Sequence, residues 1–74
     1  MNVLYADRDG VVHFGVLTTG GPDEDDTTPV LLGRGGKPLA PGTVLALLAP
    51  HHPTEAQNAV LYRAHEAGYR VEEV

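Results

Sequence analysis

The chain has no cysteine, which excludes disulfides, thiolate metal sites and cysteine nucleophiles together. Serine is absent as well. Threonine is then the one small hydroxyl nucleophile left, and no His–Asp–nucleophile constellation can be assembled from the spacing. No catalytic residue is assigned, and an enzyme is not expected. Basic residues are scarce: five against ten acids, a net charge of −5. The footprint of a nucleic-acid-binding protein is therefore missing, and no nucleic-acid partner is expected. Long apolar runs are missing too. The longest, Val44–Pro50, is far short of a membrane span. The opening MNVLYADRDG has neither the basic n-region nor the apolar h-region of a secretory signal. Together these absences predict a cytoplasmic chain with no membrane partner.

What remains is 74 residues, enough for one domain spanning 1–74. A domain this small buries only about 60% of the surface its unfolded chain exposes. With disulfides excluded, oligomerisation is among the few remaining routes to added stability.

Residues 2–6 and 11–18 are β-rich runs separated by DRDG. Gly10 supplies the positive φ that a hairpin loop requires. In the second run Val12, Phe14 and Val16 share one face, while Val11, His13 and Leu17 share the other. Both faces are partly apolar. Residues 19–29 are polar, acidic and bounded by Gly and Pro, the composition of a mobile loop. Val30–Leu32 starts a further strand, and GRGG can close a second hairpin. Pro41–Gly42 stand in the order of a type II turn. Residues 43–49, TVLALLA, are apolar on both faces and read as a central buried strand.

One helix follows. Thr54 with Gln57 forms a capping-box signature, and Glu55 places an acid in the first turn. Ala56, Val60, Leu61, Ala64 and Ala67 recur at helical spacing as a core stripe. Gly68 suits the C′ position, and residues 69–74 read as a last strand. The fold class is α+β. It comprises a small, mostly antiparallel sheet of four to five strands with one helix on one face, in the order β-β-β-β-α-β. A strand–helix–strand succession suggests a βαβ crossover if its two strands are parallel. One helix covers one face of such a sheet. The second face must be closed by curling into a partial barrel or by another chain, and self-association as a homodimer is expected.

His51 and His52 stand together between Pro50 and Pro53. Neighbours on an extended segment point to opposite sides, and zinc needs three or four converging ligands. His65 lies about 16 Å along the helix from Thr54 and does not reach them. No metal ligand is assigned. An anion pocket of His51, His52 and Thr54 at the helix start is the alternative functional reading, making the chain a small-ligand or metal-binding domain. The simpler reading is a solvated corner. DRDG lacks the acid and the glutamate of a calcium loop, because Tyr5 and Val16 occupy those positions. GRGGK lacks the spacing of a phosphate loop, and Pro38 follows Lys37. The block Asp23–Asp26 could mimic nucleic-acid phosphates, but solvated acidic loops are commoner.

Asn58, Tyr62 and His65 share the helix face opposite the core stripe, and tyrosine is enriched at interface centres. Val11, His13, Leu17, Asn58, Tyr62 and His65 are the candidate interface residues. The leading reading is an acidic protein–protein interaction module, a regulator or inhibitor of a partner protein, that also self-associates without a cofactor.

Overall fold

The computed structural model describes residues 1–19 and 28–73. The acidic block Asp23–Asp26, and most of the loop expected over 19–29, fall outside those residues.

The first hairpin pairs β1 (Asn2–Asp7) with β2 (Val12–Thr18) in antiparallel register, Leu4 opposite Phe14 and Tyr5 opposite His13. Its turn is tied by the Asp7 side chain. One carboxylate oxygen accepts the backbone N–H groups of Asp9 and Val11, each at 2.9 Å, the local bond that makes aspartate a turn former. Gly10 takes φ 84° there, as expected. Val11 lies in the turn rather than in the strand.

β3 (Val30–Leu32) pairs with β2, and a 3₁₀ turn at Arg34–Gly36 leads to β4 (Pro38–Leu39), so GRGG does close a second hairpin. This two-residue strand makes the sheet six-stranded rather than four- or five-stranded. It is too short to show any periodicity, and its proline argues against a strand. Pro41–Thr43 form a second 3₁₀ turn. Gly42 does not take a positive φ, so the type II turn expected at Pro41–Gly42 is replaced by a bond from the Thr43 N–H to the Ala40 carbonyl at 2.9 Å. The Arg8 guanidinium donates to the Gly42 carbonyl through Nε and Nη2, at 3.1 and 2.7 Å, fastening this turn to the first hairpin.

β5 (Val44–Ala49) lies against the far side of β1, and β6 (Val71–Glu73) runs parallel to β5 at the sheet edge. The order across the sheet is β4-β3-β2-β1-β5-β6, with β5–β6 the one parallel pair among the described strands. The register slips between Ala6 and Asp7, with Ala46 opposite Ala6 and Val44 opposite Asp7. Leu45 is thereby the extra residue of a bulge. Val44 turns into the core, and Leu45 stays exposed.

α1 (Glu55–Glu66) makes the β5–β6 crossover. The capping box is complete: Thr54 Oγ1 accepts the Gln57 N–H at 3.1 Å, and Gln57 Oε1 accepts the Thr54 N–H at 2.9 Å. At the other end Gly68, at φ 106°, reverses the chain. The Gly68 N–H reaches the His65 carbonyl and the Tyr69 N–H reaches the Ala64 carbonyl, at 3.1 and 3.0 Å, the double bond pattern of a Schellman motif. Leu61 and Ala64 are buried and Val60 and Ala67 half-buried, whereas Ala56 is exposed, so the apolar stripe begins a turn later than its spacing implies.

The core lies between α1 and one sheet face. Val3 and Tyr5 of β1, Leu17 of β2, Leu31 of β3 and Leu47 of β5 meet Leu61, Ala64 and Tyr69 there. The Tyr5 ring leans across Gly15 and Gly33. A Cβ added at Gly15 would lie 2.9 Å from the ring, and one at Gly33 would lie 3.1 Å from its hydroxyl. Both glycines thus hold open the slot the ring fills. No helix among the described residues is long and apolar enough to cross a membrane.

Candidate interaction surfaces

The alternation of β2 decides the first surface. Leu17 points to the helix side and is 1% exposed. It belongs to the chain's own core, which corrects its place among the interface residues. The opposite side carries Val12, Phe14 and Val16, and Phe14 is 86% exposed. Register places Leu4 beside Phe14 and Leu48 beside Leu4. Val16 has Asn2 on one side and Leu32 on the other. An apolar band thus runs across the four central strands with no layer of this chain above it among the described residues. The spacing alone leaves open which side of β2 meets the helix; the structure turns Leu17 to the core and Val12, Phe14 and Val16 outward. When both faces of a strand are partly apolar, one residue of register exchanges them.

His13 shares the helix-side parity of Leu17 but lies beyond the helix. Its Nε2 contacts Asp7 Oδ2 at 2.7 Å, and its ring stacks on Tyr5 with centroids 5.3 Å apart and planes 27° from parallel. Asp7 is held below the ordinary carboxylate value, first by the His13 hydrogen bond and then by the Val11 N–H; partial burial opposes them. The trio stands beside the hairpin turn that Asp7 ties. Val11, next to it, is 53% exposed.

A groove of about 860 Å³ between α1 and β6 is the second surface. Asn58, Tyr62 and His65 all line it, with Ala49, Leu61 and Val71 supplying apolar wall. Three residues of one helix face therefore meet in one concavity. Tyr62 is 66% exposed.

At the corner after β5, His51, His52 and Thr54 are each exposed. The two imidazoles meet edge to face, centroids 5.4 Å apart. His51 lines a shallow hollow with Asn2, Leu4 and Leu48 on the open-face side. The Thr54 hydroxyl is turned to the helix, where it caps Gln57. No group of three metal-ligating side chains comes together among the described residues.

Comparison with protein-family models, with curated proteins and with solved structures returns no match for this chain.

Proposed function

We propose that the chain is a protein–protein interaction module whose open sheet face is closed by a second copy of itself. The observation that carries this reading is Phe14, 86% exposed at the centre of an apolar band. Contiguous apolar surface of this kind marks sites of association. Two such faces stacked about 10 Å apart make the core of a β-sandwich. Val12, Phe14 and Val16 all project from this face and stand exposed. Regulation or inhibition of a different protein is the wider form of this proposal, and affinity capture that returns only the chain itself would confine the function to self-assembly.

Sedimentation equilibrium over a wide concentration range tests the contact directly. The wild type associates reversibly, and Phe14→Glu weakens association while keeping the wild-type circular dichroism. A wild-type chain that stays a compact monomer at millimolar concentration, or a Phe14→Glu variant that associates as strongly as wild type, overturns the reading.

A further inference from the structure

The two edges of the sheet are not equivalent. β4 offers two residues, the first a proline without an N–H, and edge strands built this way resist pairing. β6 has no proline and no neighbour beyond it among the described strands. The Arg70 carbonyl accepts the Leu47 N–H at 2.7 Å, so Arg70 faces β5. By the alternation of a strand, Val71 turns its own N–H and carbonyl outward.

We infer that β6 is a second contact between copies, pairing antiparallel with β6 of another chain about a two-fold axis centred on Val71. Such an axis stands normal to the sheet and keeps both helices on the same side. Facing residues then share a side of the sheet, which restricts the register to one centred on a residue. Centring on Glu72 would set two glutamates directly opposite, an unfavourable cross-strand pair. Centring on Val71 sets Arg70 of each copy against Glu72 of the other, twice over. Within one chain these two side chains already pair at 2.9 Å while remaining 70% and 46% exposed. The association therefore extends one ion pair into an alternating cluster of four charges.

The groove beside β6 gains a role from the same axis. It becomes the space between two antiparallel α1 helices, with Asn58, Tyr62 and His65 on both walls. The inference is independent of the Phe14 contact, because the axis lies normal to the sheet and leaves the open face uncovered.

The absence of cysteine makes the register directly measurable in the full chain. Facing Cα atoms in a hydrogen-bonded antiparallel pair lie about 5.5 Å apart, within disulfide range. Under mild oxidation Val71→Cys cross-links to a covalent dimer, and Glu73→Cys and Arg70→Cys cross-link far less. Arg70→Glu alone and Glu72→Arg alone each raise the dimer dissociation constant about tenfold, from two like-charge contacts. The double variant restores it. Measuring in the Phe14→Glu background isolates this contact from the other. Equal cross-linking at all three positions, none at Val71→Cys, or no recovery in the double variant overturns the inference, whatever the fate of the open-face contact.

Discussion

The Tyr69 hydroxyl donates to the Leu39 carbonyl at 2.5 Å and accepts the buried Leu31 N–H at 3.2 Å. One side chain at the exit of the helix thus bridges β3 to β4, thirty or more positions back along the chain. Burying tyrosine requires a partner for its hydroxyl, and this one has two.

Tyr69→Phe keeps the ring and removes both bonds. The Leu31 N–H keeps its place opposite Leu39 in the β3–β4 ladder, so the loss is that of the hydroxyl's own bonds, about 1 kcal/mol. Urea denaturation reads that loss as a lower midpoint. An unchanged midpoint would mean that the bridge contributes nothing net.

Gly15→Ala tests the slot beneath Tyr5. The new methyl meets Tyr5 Cδ1 at 2.9 Å, Tyr5 Cε1 at 3.0 Å and Leu31 Cδ1 at 3.1 Å. The ring is buried and has little room to retreat, so overpacking costs about 1–3 kcal/mol. Relief by a second change, Tyr5→Leu, is the control: the double variant should recover part of the loss seen in the single one.

Thr54→Ala removes the hydroxyl that accepts the Gln57 N–H. A loss of about 1 kcal/mol is expected from an exposed N-cap of this type. Thr54→Ser should lose much less, since it retains the accepting oxygen. Thermal denaturation of both variants decides it.

The pH dependence of Asp7 has a definite sign. Its folded-state pKa lies below the ordinary 3.8, so its stabilising effect is fully present above that value. It disappears as the pH falls through the lower folded-state value. Carboxyl-carbon NMR should find Asp7 titrating below 3.8, and His13→Ala should move the midpoint upward by removing the largest cause. A midpoint indifferent to His13→Ala would assign the shift to the backbone donors alone.

Much of this fold is written locally. The Asp7–Gly10 turn, the Thr54–Gln57 box and the Gly68 reversal each follow from bonds within a few residues, and each stands where the sequence places it. What escaped sequence reasoning depends on partners far along the chain. Leu17 and Phe14 both read as apolar strand residues, and only the pairing of β2 with β1 and β3 decides which meets the helix. β4 carries no periodic signal because it is two residues long. Tyr69 reads as the start of a strand, but its hydroxyl joins elements thirty or more residues upstream. The groove is legible in part: helical spacing groups Asn58, Tyr62 and His65, while the β6 wall facing them depends on the parallel pairing of β5 and β6.

Pro38 at the start of β4 has a consequence for growth. Polymerisation by strand addition, as in amyloid, needs a receptive edge on each side of every unit. A sheet that ends in a two-residue, proline-headed strand is blank on that side. Edge addition at β6 can double the sheet once and then has nowhere further to propagate. The proline thus acts as a terminator for growth of the sheet by strand addition.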